Sequence, residues 1–294
     1  MSIPMIASYQ LPKTLPQNRV SWQPDPKRAV LLIHDMQDYF LRFYKTDTGG
    51  NSPLLDTVIA NLVALRNWAR AHQVPVVYTA QPTEQSDEQR ALLNDMWGPG
   101  LTTADPQQAA IVQPLMPEKT DTVLVKWRYS AFQRSHLESL MQDWGRDQLL
   151  IGGVYAHIGC MTTALDAFMR DIQPFMLADA LADFSAADHQ QALDFVAGRC
   201  GAVVTSAEIL KPAEKLNFAW LTGQVIPLLE EDAGEPDGED NLIDYGLDSV
   251  QVMQLIGQWQ QKGLHLSFED LAEEPTLNGW WKRIQQHLQQ QQAA

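Results

Sequence analysis

Cysteine is nearly absent, with only Cys160 and Cys200 in 294 residues. Neither sits in a CxxC or Cys/His spacing, so no metal site and no disulfide framework is expected, and both read as buried free thiols. Positive charge is also scarce, at 21 Lys and Arg against 36 Asp and Glu, a formal charge of −15. A nucleic-acid partner is not expected, because phosphate backbones call for a basic stripe. Long apolar runs are missing too, and nothing approaches the roughly 20 apolar residues of a membrane span. The opening stretch MSIPMIASYQLPKTLPQ shows no basic segment, apolar run and small-residue cleavage site in succession, so no leader is read and a cytoplasmic protein is expected.

What is present is a 45% apolar content, enough for one large core and one small one. Over the first 210 residues apolar, β-rich runs alternate with helical patterns. The predicted strands are 29–36, 74–80, 122–127, 148–155, 174–181 and 202–208. Their hydrophobicity is continuous rather than alternating, as a sheet covered on both faces requires. Strand and helix in alternation predict a three-layer α/β domain over residues 1–210 with a parallel six-stranded sheet.

After Leu210 the pattern changes. AEKLNFAWLTGQVIPLLEED reads as an amphipathic helix and DAGEPDGEDNLIDYG as a loop punctuated by Gly and Pro. Three helical pieces follow, SVQVMQLIGQWQQK, FEDLAE and TLNGWWKRIQQHLQQ, which predicts a small four-helix bundle over 211–294. From Lys211 onward 5 basic residues face 14 acidic ones, so this segment contributes −9 of the −15.

Ligands of open α/β sheets collect beyond the carboxyl ends of the strands. The first predicted strand delivers His34, Asp35 and Gln37 there, the second Gln81, the third Lys126 and Arg128, and the fourth Tyr155, His157 and Gly159. Together an acid, a lysine and an amide suit a catalytic pocket; singly, each could cap a helix or pair on the rim. His34 and His157 read as structural histidines bonded to backbone.

The segments IHDMQDYF, TAQP, LLNDMWGPG, KWRYSAF and GVYAHIGCMTTALDAF resemble the isochorismatase-like hydrolase family. The similarity is strongest to isochorismatases of enterobactin-type and vibriobactin-type catecholate siderophore synthesis, which also end in an aryl carrier domain. The family includes amidases with an Asp, Lys, Cys triad. The resemblance places Asp35 and Lys126 on the first two members but Gly159 on the third, leaving Cys160 one residue out of register. On a turn into a helix, one residue turns a side chain by roughly 100°. The resemblance implies vinyl-ether hydrolysis of isochorismate to 2,3-dihydro-2,3-dihydroxybenzoate and pyruvate, with Asp35 as general acid and no metal. It implies substrate contacts at Gln81, Arg90, Trp97, Tyr155 and Gly159, although Trp97 could also be a core aromatic. It further implies a cis peptide between Val154 and Tyr155.

The tail motif LIDYGLDSVQVMQL is similar to the attachment site of acyl, peptidyl and aryl carriers, which implies a covalent 4'-phosphopantetheine on Ser249. A phosphate ester at a helix start meets free N–H groups and the positive dipole end; read blandly, Asp248 or Ser249 is an N-cap. The implied partners are a phosphopantetheinyl transferase, an aryl-activating adenylation enzyme and the condensation domain of a nonribosomal peptide synthetase. Met253 and Phe268 are candidate partner contacts, with core packing as their alternative. A homo-oligomer is expected. Two other functions remain open: a cysteine amidase using Cys160 fused to a carrier, and a carrier scaffold whose first domain is inactive.

Overall fold

A computed structural model describes residues 3–46, 48–211, 216–230, 234–261 and 264–293. The chain forms two compact units, Met1–Lys211 and Pro212–Ala294. In the first, six parallel strands run β1 (Ala29–His34), β2 (Val76–Ala80), β3 (Thr122–Val125), β4 (Gln148–Val154), β5 (Gln173–Ala182) and β6 (Ala202–Val204), in the spatial order β3-β2-β1-β4-β5-β6. The order reverses between β1 and β4, and such a switch point opens a crevice at the carboxyl ends of the two strands.

Continuous apolar strands become intelligible from the packing. In β1, Ala29, Leu31 and Ile33 enter one core while Val30 and Leu32 enter the other. The first core is roofed by helix Pro53–Ala71, whose buried Leu55, Val58, Ile59, Leu62, Leu65 and Ala69 follow helical spacing. Ser52 caps that helix by accepting from Leu55 N–H, and Pro53 opens it. Helices Leu137–Asp143, Met161–Phe168 and Ala186–Arg199 send buried side chains into the second core.

Several predicted elements are shorter than expected; the first, third and fourth strands stop at His34, Val125 and Val154. The second strand begins at Val76, after Pro75. The sixth ends at Val204 rather than Glu208, because Thr205 and Glu208 form a reciprocal capping box that starts helix Ser206–Leu210. In the second unit the first helix spans Phe218–Val225, opened by the Asn217 cap and followed by a 3₁₀ turn at Ile226–Leu228 carrying Pro227. The part of that predicted helix at 213–215 and 231–232 lies outside the described residues, as does Lys262.

The second unit has its own core. Helices Phe218–Val225, Ser249–Gln261, Phe268–Ala272 and Leu277–Ala293 enclose Leu221, Leu242, Leu255, Leu271 and Ile284 with three tryptophans. Trp259 packs edge-on to Trp280, at 6.0 Å between ring centroids, and tilted against Trp220, at 5.6 Å.

Candidate functional site

Asp35 follows β1 with φ 50°, a left-handed conformation that Asp tolerates better than most residues and that turns the chain out of the strand. Its side chain is buried and fully engaged. Lys126, just beyond β3, donates from Nζ to Oδ2 at 2.7 Å, and the Thr79 hydroxyl donates to Oδ1 at 2.6 Å. Thr79 also accepts the Asp35 backbone N–H at 3.0 Å, so one β2 residue grips both ends of the acid. Burial pushes the Asp35 carboxyl up, but the Lys126 ammonium, His34 and the two hydrogen bonds together hold it below the usual carboxylate range.

A cavity opens at the switch point, and its lining includes all seven expected positions: Asp35, Gln81, Arg90, Trp97, Lys126, Tyr155 and Gly159. Each is held differently. The backbone of Gln81 is clamped by the buried amide of Gln37, which donates to Gln81 O at 3.0 Å and accepts Gln81 N–H at 2.7 Å. Arg90 donates to Gly98 O at 2.8 Å and to Gln85 at 3.1 Å, with no carboxylate partner among the described residues. Gly100 leaves it room, since a Cβ there would stand 2.5 Å from Arg90 Nη2. Trp97 is half-buried and donates from Nε1 to the Tyr129 hydroxyl at 2.8 Å. Tyr155 spends its hydroxyl proton on Phe40 O at 3.0 Å, which leaves its aromatic face and its backbone for the cavity.

Tyr155 also follows a cis peptide from Val154. The next residues, Ala156–Cys160, form a π-helical turn, with Cys160 N–H reaching back to Tyr155 O. Gly159 is required there: a Cβ would lie 2.2 Å from Cε1 of His34. The His34 ring is pinned, donating from Nδ1 to Val154 O at 2.8 Å with Nε2 3.4 Å from Tyr129 O, and burial lowers its pKa to about 4. Cys160 is fully buried in the second core and absent from the cavity wall, with its thiol pushed well up by burial. His157 is held at 2.5 Å by the buried Asp183, which also accepts the His157 backbone N–H.

Thr79 and the aromatic wall of Tyr39, Phe40 and Phe184 were not singled out from the sequence. A threonine inside a strand and aromatics inside apolar runs look like sheet formers and core. Only the hydrogen bonds between the ends of β1 and β2 reveal that Thr79 faces the acid.

In the second unit Asp248 caps helix Ser249–Gln261, its Oδ1 accepting Gln251 N–H at 2.8 Å while Gln251 Oε1 accepts Asp248 N–H at 2.9 Å. The N-cap reading therefore belongs to Asp248. Ser249, the first helical residue, is exposed and makes no side-chain hydrogen bond among the described residues. Met253 and Phe268 are 55% and 39% exposed, which excludes simple core packing for either.

An acid–lysine pair on a pocket at the switch point of a parallel sheet, followed by a helical unit with a free serine at a helix start, defines a hydrolase joined to a carrier. The chain belongs to the isochorismatase family: residues 29–208 match the isochorismatase domain, and residues 219–284 match the phosphopantetheine attachment site domain. It is 54% identical to enterobactin synthase component B of Escherichia coli, over 98% of this chain and 100% of that one. It is 45% identical to the isochorismatase of Bacillus subtilis, over 99% of this chain and 97% of that one. Among solved structures, a cysteine hydrolase from Pseudomonas syringae pv. phaseolicola superposes with a TM-score of 0.58 at 25% identity, covering 67% of this chain and 96% of its own.

Proposed function

We propose that the first unit hydrolyses isochorismate to 2,3-dihydro-2,3-dihydroxybenzoate and pyruvate, and that the second holds 2,3-dihydroxybenzoate as a phosphopantetheine thioester on Ser249 during siderophore assembly. The observation that carries the first half is the buried Lys126–Asp35 contact at 2.7 Å on the wall of a cavity without a thiol. Such a pair holds one movable proton. Before substrate binds, its partners keep Asp35 in the ionised form, but a substrate bearing two carboxylates brings negative charge beside it, and a like charge raises a carboxyl pKa. A substrate carboxylate that lies closer to Asp35 than to its partner moves the shared proton onto Asp35.

From Asp35 the proton passes to the terminal methylene carbon of the enol ether, leaving an oxocarbenium-like centre at the ether carbon. Water adds to that centre and returns a proton to the pair. The resulting hemiketal breaks its C–O bond, releasing pyruvate and the ring alcohol. Arg90 grips a carboxylate, Gln81 adds neutral hydrogen bonds, and Trp97 and Tyr155 wall the ring. Gly159 keeps the floor flat and leaves backbone within reach of the substrate.

Pyruvate release from isochorismate tests this reading, with Asp35→Asn expected to lose at least about 10²-fold in turnover, the low end of general acid catalysis. Turnover within a few-fold of the parent would reject Asp35 as the acid. Cys160→Ala, or a thiol-blocking reagent, should leave the rate unchanged; loss of turnover with the fold intact would instead support a cysteine amidase. Contact between the retained Asp35 and Lys126 speaks against an inactive scaffold.

The attachment site fits its group, because Ser249 offers an unengaged hydroxyl at the start of a 13-residue helix. When bound, the phosphopantetheine supplies the thiol that carries the acyl group. Asp248 holds the helix start in shape and keeps the serine outward. An adenylation enzyme would load the arm and a condensation domain would draw from it, after a phosphopantetheinyl transferase has modified Ser249. Exposed Met253 and Phe268 are proposed contacts for these partners. No helix among the described residues is long and apolar enough to cross a membrane. The cytoplasm is the proposed setting, with both cysteines as free thiols. A homo-oligomer is also proposed; Val123 and Val125, about half exposed on the edge strand β3, give it an apolar surface, and light scattering tests it.

A further inference from the structure

Two guanidinium groups reach one backbone carbonyl, that of Gln89. Arg128 donates from Nη1 to Gln89 O at 2.8 Å and to Trp127 O at 2.6 Å, and Arg134 reaches the same Gln89 carbonyl at 3.4 Å. The next residue is Arg90, inside the cavity. None of the three pairs with a carboxylate among the described residues.

Arg128 stands at a boundary. It lines the cavity and also an outer apolar groove that includes Leu92, Met96, Leu165 and Met169, and Leu93 and Tyr129 are the other residues common to both. Arg128 is therefore at the cavity mouth. Arg134 is exposed, and its guanidinium lies on the same carbonyl as that of Arg128. Like charges gathered without a direct ion-pair partner repel one another, although Asp87 and Glu88 stand on the same short helix as Arg90, and burial and the Arg134 charge both lower the Arg128 pKa. Such a cluster gains when an anion arrives. The whole chain carries −15, so a dianion approaching it meets net repulsion unless cationic charge is focused at the entrance.

We propose that Arg128 and Arg134 form a cationic mouth that captures the dicarboxylate substrate and passes it inward to Arg90, setting the rate of productive encounter rather than the rate of chemistry. This rests on the isochorismate reading above. Arg128 and Arg134 are positioning residues, and their contribution is electrostatic.

The test is steady-state pyruvate release by the full chain carrying Arg128→Gln, Arg134→Gln and both, from low ionic strength to about 0.5 M NaCl. The double variant should lose about tenfold in kcat/KM at low salt, the lower end of what steering supplies, with kcat within about twofold. The gap should close as salt shortens the screening length. Lys at both positions should restore most of the loss. A control with Arg19→Gln and Arg199→Gln makes the same charge change around Gly198, just before β6 and so at the opposite edge of the sheet, and should behave like the parent. A double variant equal to the parent at low salt overturns the mouth, as does a loss that persists at high salt, a fall in kcat, or an equal loss in the control. If the parent itself releases no pyruvate, the isochorismate reading fails and the mouth falls with it; parental turnover with indifferent arginine variants removes the mouth alone.

Discussion

Between His34 and Gly159 the fold leaves no room for a side chain. Replacing Gly159 by Ala sets a Cβ 2.2 Å from an imidazole carbon, and that ring is tied to Val154 O at 2.8 Å, so it cannot swing aside cheaply. Overpacking of this kind costs about 1–3 kcal/mol. Calorimetry of the first unit's transition should therefore show Gly159→Ala destabilising, and less so in a His34→Ala background, where the space is free. Equal penalties in the two backgrounds would mean that the ring does not fill that space. The same geometry explains why a nucleophile is missing at this position: a side chain there would collide with His34. His157 supports a pH-dependent prediction. The hydrogen bond to Asp183 raises its pKa above the ordinary value of about 6.5, so the stabilisation is complete below that value and lost as pH climbs through the raised one. His157→Asn should lower the first unit's melting temperature most near pH 5.5 and least near pH 9; a penalty independent of pH would remove charge from the account. Asp35, Lys126 and Gln81 were legible as cavity positions because they follow predicted strands, whereas Arg90, on helix Asp87–Arg90, was reached only through the family resemblance. The Thr79 grip and the His34–Gly159 collision were not legible, since each depends on distances between residues 44 or more apart in sequence.

At the scale of elements, hydrophobic runs located all six strands, while capping chemistry decided where the sixth strand stops and where the first carrier helix starts. Apolar content alone would carry β6 through to Glu208, yet the Thr205–Glu208 box claims those residues for a helix. The same logic governs the carrier helix. Asp248 and Gln251 satisfy each other's backbone N–H groups at 2.8 and 2.9 Å, which leaves Ser249 without a structural duty. Losing such a cap costs about 0.5–2 kcal/mol. Asp248→Ala should lower the melting temperature of the second unit and slow modification of Ser249, while Asp248→Asn, able to cap equally well, should preserve stability. If Asn were as damaging as Ala to stability, charge rather than capping would be the function of Asp248.

For the whole molecule, the question is whether the two units need each other. The strand-end constellation, both cores around the sheet and the cavity all come from residues up to Leu210, and the tryptophan-rich core begins at Leu216. Sequence composition anticipated this division through the shift in charge and the disappearance of strands, because a parallel sheet needs two covered faces and a small bundle does not. An autonomous carrier is advantageous, since a large apolar interface with the enzyme would hold it back from other partners. Ser249→Ala should prevent the mass gain produced by a phosphopantetheinyl transferase and leave pyruvate release unchanged. Separate expression of residues 1–211 and 212–294 should give an active hydrolase and a fragment that still accepts the arm. Each fragment should melt near the temperature of its own transition in the full chain. Should residues 1–211 lose turnover, or 212–294 fail to fold, the units would be interdependent and the carrier would owe its stability to the enzyme beside it.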